Sequence, residues 1–291
     1  ALWVVATTTG VVFSLLGSTL PRKLIMALGF PLSWALLLGA SGGAALAWAW
    51  LLPLGLLGVW QVASDQQWVD ANILVSPLAV LETTKNGLLD GTLISGMALS
   101  LGRTLGGLLL GGGLGFALGL LLGLSRTSER LLGPTLAAIR QIAIFAWVPL
   151  LTAWFGLGEL AKWVFVALAA FFPLFIATQR SVANLSPQLN EAAQVMRLSL
   201  GQRLRRLVLP GAAPGIFAGL RLSLIYAWLG TIGAEYFMPS NGGIGSQMIG
   251  AQQLLRMDLI MAGMLLVGLT GALLNLIGQR LEIRATRWRH A

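Results

Sequence analysis

The sequence predicts an all-α integral membrane protein, and three observations carry that prediction. Of 291 residues, 56% are hydrophobic and only 10% charged, against roughly a quarter charged in an ordinary soluble domain. Mean hydropathy is +0.82, so lipid rather than water is the expected solvent for much of the surface. The apolar residues also come in runs that match the roughly 20 residues a helix needs to cross a bilayer.

Taken in order, those runs fall at about 44–63, 100–124, 135–157, 160–180 and 259–281. A sixth, at 214–238, is apolar apart from Arg221 near its start and Glu235 near its end. Residues 1–20 are apolar too, as are 24–41, where Pro31 interrupts. The first 43 residues are therefore expected to be an N-terminal extension with one or more spans. The chain opens on Ala1 rather than Met, so an incomplete N-terminus is expected. The 37 glycines and 11 tryptophans fit this reading, since glycine lets membrane helices approach closely and tryptophan collects at the interface.

The net charge of +9 is read as a membrane signature rather than a nucleic-acid one. When the spans alternate around a cytoplasmic 181–213 loop, Arg22, Lys23, Arg126, Arg130, Arg140, Arg180, Arg197, Arg203, Arg205, Arg206, Arg221, Arg280, Arg284, Arg287 and Arg289 share the inner side. The 64–92 loop, with Asp65, Asp70, Glu82 and Asp90 against Lys85, falls outside. That division obeys the positive-inside rule, and it makes 286–291 a cytoplasmic tail.

Several chemistries are excluded. There is no cysteine, hence no disulfide or thiolate site. The single histidine is His290, beside the last residue. A nucleotide-gripping loop needs lysine after glycine, and Lys23, Lys85 and Lys162 follow Arg22, Thr84 and Ala161. The chain is therefore expected to be no enzyme and to carry neither metal nor cofactor.

Within 100–124, Gly107, Gly111, Gly115, Gly119 and Gly123 recur every four residues. Four residues advance a helix slightly beyond one turn, so they form a smooth stripe. Close helix packing is its expected use, ahead of a substrate path.

The stretch with most functional content is EAAQVMRLSLGQRLRRLVLPGAAP, starting at Glu191. It is arginine-rich and lies between two spans. Ala192, Ala193, Val195 and Met196 would give a short helix a small apolar surface, suited to a partner's groove. Glu191 in its first turn favours the helix N-terminus. This pattern resembles the EAA loop of bacterial ABC-importer permeases, with Val208-Leu209-Pro210 as the closing element. The resemblance extends over about 45–285: Ala146-Trp147-Val148-Pro149-Leu150, Trp154-Phe155-Gly156-Leu157-Gly158-Glu159, Phe172-Pro173, Leu220-Arg221-Leu222, Ala234-Glu235 and Gly243-Ile244-Gly245 are similar to the nitrate, taurine and aliphatic-sulfonate group. Two departures stand out. The family's glycine six residues after Glu191 is Arg197 here, which moves the expected turn to Gly201, and Ile142-Ala143-Ile144-Phe145 replaces a proline-rich stretch.

The resemblance implies a type I ABC-importer permease fold, with five core transmembrane helices in 44–285 and the coupling loop at about 181–213. It implies a multi-pass protein of the bacterial inner membrane, working as a homodimer in lipid. Its partners would be two ABC ATPase subunits, which hold the ATP and Mg, and a periplasmic substrate-binding protein. Glu191, Ala192, Ala193, Met196, Arg197, Gly201, Leu209 and Pro210 are the expected ATPase-coupling residues. Gln141, Thr152, Thr178, Gln179, Ser223, Tyr226, Thr231 and Glu235 are candidates for the translocation path. For each of these, a helix–helix hydrogen bond is the competing use. Glu235 could equally reach interfacial water, or pair with Arg103 or Arg256. An aliphatic sulfonate or taurine-like anion is the first expectation for substrate, with nitrate, bicarbonate and aromatic carboxylates as alternatives. The competing class is an ion-gradient-driven secondary transporter, which normally needs intramembrane carboxylates or repeated broken helices.

Overall fold

A computed structural model of the chain describes residues 44–70, 73–186, 188, 191, 193, 195–239 and 242–286. The expected extension at 1–43 and all but the first residue of the 286–291 tail lie outside the described residues. All regular structure among the described residues is helical. The chain divides into two compact units.

The first unit holds the described residues up to Asn86, together with Leu255–Ala262. Its helices are α1 (Ala44–Asp65) and α2 (Pro77–Leu89), the latter running from Gly87 on into the second unit. The loop between them folds back on α1: the Trp60 indole donates to the Val75 carbonyl (2.9 Å) and the Ser64 hydroxyl to that of Leu74 (3.0 Å). Thr83 of α2 donates to Asp258 (3.0 Å).

The second unit, Gly87–Leu254 with Gly263–Ala291, carries the charge cluster, the cavity and the 181–213 loop. In it α3 (Thr92–Gly107) continues through a π turn, Leu108–Gly112, into α4 (Gly113–Leu124). Next come α5 (Arg126–Arg140), a 3-10 turn at Ile144–Trp147, α6 (Val148–Phe155) and α7 (Glu159–Ala183). After the loop come a one-turn helix at Leu200–Arg203, a π turn at Leu204–Val208, α8 (Leu209–Phe237) and α9 (Ile244–Gln253). Finally α10 (Met257–Ala285) gives its first residues to the first unit and the rest to the second. Thr92–Leu124, Glu159–Ala183, Gly201–Phe237 and Met257–Ala285 are each long and apolar enough to cross a membrane.

The expected single span at 135–157 is corrected. Arg126–Arg140 and Ile144–Phe155 meet at a bend of 92°. At the end of α5 the Gln141 and Ile142 N–H groups reach back only three residues, to the Ala138 and Ile139 carbonyls. That tightening is how a helix closes off carbonyls it will not use further on. The helix before the bend, α5, carries Arg126, Glu129, Arg130 and Arg140 and has no buried residue, whereas hydrocarbon excludes charge. Pro149 sits in the first turn of α6, where its missing N–H costs nothing.

The core is organised around α7, which packs against α3, α4, α6 and α8. The glycine stripe makes this possible. A Cβ at Gly115 would lie 2.5 Å from the Phe171 carbonyl oxygen, and one at Gly119 2.6 Å from that of Phe175. At Gly123 it would lie 2.7 Å from Val182, while Gly111 abuts the Ala167 carbonyl and Gly107 abuts Val166. The stripe is thus a backbone-to-backbone seam, as expected. Phe165, Val166 and Ala170 of α7 form the adjoining core with Ala227 and Ala234 of α8.

Gly113, on the same rod, is exposed, and a Cβ added there would meet nothing within 4 Å. Gly115→Leu is therefore expected to destabilise by about 1–3 kcal/mol or more, while Gly113→Leu stays close to wild type. Thermal melts of both variants in the same detergent check this.

Candidate functional site: charge cluster, cavity and coupling loop

Four ionisable side chains on three apolar helices converge in one cluster. Arg103 of α3 meets Glu235 of α8 through Nη1 (2.6 Å), and clasps Glu159 at the start of α7 through Nε and Nη2 (2.7 and 2.6 Å). Lys162 lies 3.6 Å from Glu159. Both Lys162 and Glu235 are 0% exposed. The Ser100 hydroxyl donates to the Glu235 carboxylate (2.8 and 2.9 Å to its two oxygens) and accepts from the Ile244 N–H (3.0 Å). The Gly245 N–H also donates to Glu235 (2.9 Å), and the Gly242 carbonyl accepts from Arg103 (3.2 Å). Two cations and two anions cancel, and the carboxylate is ringed with donors, which are the conditions under which charge survives in hydrocarbon.

The local sequence explains the geometry. Gly242 and Gly243 take φ of 84° and 97°, open to glycine at little cost. A Cβ at Gly243 would run into Arg103 and Glu235, and one at Gly245 would lie 2.8 Å from the Glu235 Cβ. The Gly243-Ile244-Gly245 motif therefore lets backbone press onto the Glu235 carboxylate. Of the two partners expected for Glu235, Arg103 is the one it meets, and Arg256 pairs instead with Asp258 (2.8 Å).

A cavity of about 760 Å³ opens beside the bend after α5, bounded by α7 and α8. Two of the expected path residues, Gln141 and Tyr226, line it, together with Arg140 and Arg180. The other candidates serve elsewhere. Ser223 donates to the Ala170 carbonyl (2.5 Å), and Thr231 meets Thr104 (2.8 Å) and the Ala227 carbonyl (2.9 Å). Thr178 is buried in the glycine seam against Gly119. Gln179 donates to Glu129 (3.2 Å) and Thr152 to the Pro149 carbonyl (3.0 Å). Glu235 is walled into the charge cluster.

In the coupling loop, Glu191, Ala193 and Val195 are helical, and Ala192 lies outside the described residues. Ala193 is 4% exposed, so it belongs to the chain's own packing and is removed from the expected docking surface. Val195 and Met196, at 85% and 70% exposed, give the loop an apolar tip. The turn also needs correcting. Arg197 itself takes φ 47°, and the Leu198 N–H reaches the Ala193 carbonyl (3.1 Å). That six-to-one closure with a left-handed residue is a Schellman cap, usually made by glycine. The turn therefore stays at Arg197 and is not displaced to Gly201, which lies in the helical turn Leu200–Arg203. Leu209 and exposed Pro210 open α8. Below them Val182, Val208 and Ala212 pack together and root both ends of the loop.

Sequence reasoning missed Ser100, Glu159 and Lys162 as members of the cluster, and Arg180 in the cavity. One signal was present: Arg103 and Lys162 each interrupt an apolar run, and a buried cation requires an anion at the same depth.

Long apolar helices held by an internal, neutral charge cluster, with one span broken beside a cavity and a basic loop presenting an apolar tip, describe a polytopic transport subunit. The family follows from comparison. The family model described as "Binding-protein-dependent transport system inner membrane component" matches residues 107–282, and the chain belongs to that family. It is 38% identical to the aliphatic sulfonates transport permease protein SsuC of Escherichia coli K12, covering 83% of this chain and 92% of that one. To the taurine transport system permease protein TauC of the same organism it is 31% identical, over 80% and 86%. To the bicarbonate transport system permease protein CmpB of Synechococcus elongatus it is 32% identical, over 77% and 85%. A solved chain of the MetNI methionine ABC transporter superposes with a TM-score of 0.54 at 21% identity, covering 68% of this chain and 98% of that one. The fold is the type I ABC-importer permease fold, and the chain is a multi-pass transport subunit.

Removing one member of a buried pair strands the other, a cost of about 3–5 kcal/mol. Glu235→Met alone is expected to lower the melting temperature strongly. Arg103→Met/Glu235→Met should lose less than the sum of the two single changes, as a double-mutant cycle in detergent would measure.

Proposed function

We propose that this chain forms the membrane path of an ATP-driven importer of small organic anions, an aliphatic sulfonate or taurine-like compound first among them. The observation that carries this reading is the coupling loop: a capped helix, rooted in the core at both ends, with Val195 and Met196 exposed at its tip. In the proposed assembly, two copies of the chain face each other in the bacterial inner membrane. Two ATPase subunits hold ATP and Mg on the cytoplasmic side, and a periplasmic protein delivers substrate. Closure of the ATPase pair on ATP moves the loop. Because α7 and α8 leave that loop from one apolar base, the motion passes to the helices that bound the cavity. The substrate class is supported by relatives named for sulfonates and taurine; the bicarbonate relative keeps smaller anions as alternatives.

Exposed apolar tips bind grooves, and an unpaired carboxylate placed there would have to be desolvated. Met196→Glu is expected to cut co-purification with the ATPase by at least about tenfold while the melting temperature holds. Glu191→Lys should act in the same direction more weakly, since its helix-dipole contribution is about 0.3–1 kcal/mol. Arg197→Gly should preserve the complex, because glycine takes the left-handed conformation with less strain. Normal complex yield and coupled transport in Met196→Glu would remove the loop from the interface.

The topology has its own check. Single cysteines at Asn184 and Asp70, introduced into a chain that has none, are probed on intact spheroplasts with an impermeant thiol reagent. Position 70 should label and position 184 should not.

A further inference from the structure

We propose that the cavity beside the α5–α6 bend is a substrate subsite of the permease itself, in which Arg140 and Arg180 hold the anionic head of a small amphiphile and the aromatic wall takes its tail. The proposal rests on the importer reading above and deepens it. The volume, about 760 Å³, falls within the roughly 300–1,000 Å³ typical of small-molecule sites. The wall is largely apolar and includes Phe172 and Trp147, while Gln141 and Tyr226 add neutral hydrogen-bonding groups.

The arginines decide the ligand's sign. Arg103 and Arg221, set into α3 and α8, both have anionic or amide partners: Arg103 has Glu159 and Glu235, and Arg221 has Asn275 (2.8 Å) and Glu282 (3.6 Å). Arg140 and Arg180 line one cavity with no hydrogen bond or ion pair from their side chains among the described residues. Glu129 of α5 accepts a hydrogen bond from Gln179 of α7 (3.2 Å) and pairs with neither arginine. A guanidinium offers a planar fork of donors that suits sulfonate, phosphate and carboxylate oxygens. Two such forks beside an apolar wall select a ligand with one charged end and one greasy end. The bend supplies this placement: it turns Arg140 out of α5 at the point where the span breaks, so that it shares the cavity with Arg180 near the end of α7.

The test uses the permease–ATPase complex in phosphatidylcholine nanodiscs, titrated calorimetrically with sodium hexanesulfonate. Saturable binding is expected. Each of Arg140→Gln and Arg180→Gln should weaken it by about tenfold or more, the usual worth of a charge-assisted hydrogen bond, and the lysine variants should fall between. Hexanol, lacking the charge, should not saturate the site. Each methylene removed toward methanesulfonate should weaken binding by up to about fourfold. Wild-type affinity in the double glutamine variant would overturn the proposal. So would absence of sulfonate binding combined with arginine-dependent retention of phosphatidylglycerol, which would assign the pair to lipid. Uptake in proteoliposomes with the binding protein separates the two levels. Wild-type hexanesulfonate transport by the double variant would reject this subsite and keep the importer reading. No sulfonate transport by the wild-type assembly would reject the substrate class itself.

Discussion

The helices that frame the charge cluster and the cavity follow from where α7 is allowed to lie. In hydrocarbon, lipid tails are as apolar as leucine, so helices gain little from hiding apolar surface and associate through close contact and internal hydrogen bonds. Along α4 the close contact is supplied by glycines whose missing Cβ positions are filled by the Ala167, Phe171 and Phe175 backbone. With α7 pinned on that side, α8 packs on its other faces, using Ala227, Gly230 and Ala234 where space is short. The cavity exists because the same α7 is left uncovered where the chain bends away after α5.

The charge cluster solves the complementary problem. Arg103, Lys162, Glu159 and Glu235 would each be costly alone in a membrane; together they are neutral and tie α3, α7, α8 and the start of α9 at one end. The motifs scattered through the sequence meet here: Glu159 closes one, Glu235 another, and Gly243-Ile244-Gly245 a third. Their spacing in the chain reflects helix lengths rather than chemistry. The cluster joins α7 and α8 at one end, the packed base of the 181–213 loop joins them at the other, and both helices line the cavity.

Much of this is legible in the sequence. The spans follow from apolar run length, and the stripe from its four-residue period. The pairing of Glu235 with Arg103 is one of the options that low dielectric leaves open. What sequence does not carry is three-dimensional sharing. Thr231 and Ser223 suit a path until their partners across the helix seam, Thr104 and the Ala170 carbonyl, are in view. The break in 135–157 is hidden because Ile142-Ala143-Ile144-Phe145 carries no glycine or proline to announce it. Arg197 misleads for the opposite reason. A rule about residue type points the turn to Gly201, yet Arg197 itself adopts the left-handed conformation that closes the helix.

The central claim is that this chain conducts a small organic anion only as part of an ATP-driven assembly. Uptake of radiolabelled hexanesulfonate into proteoliposomes, with ATP inside or out and with a proton or sodium gradient imposed separately, tests it directly. The account predicts uptake only when ATPase, binding protein and ATP are all present, with no response to either ion gradient alone. Gradient-driven uptake by the permease without its partners would contradict it and would make the chain a secondary transporter.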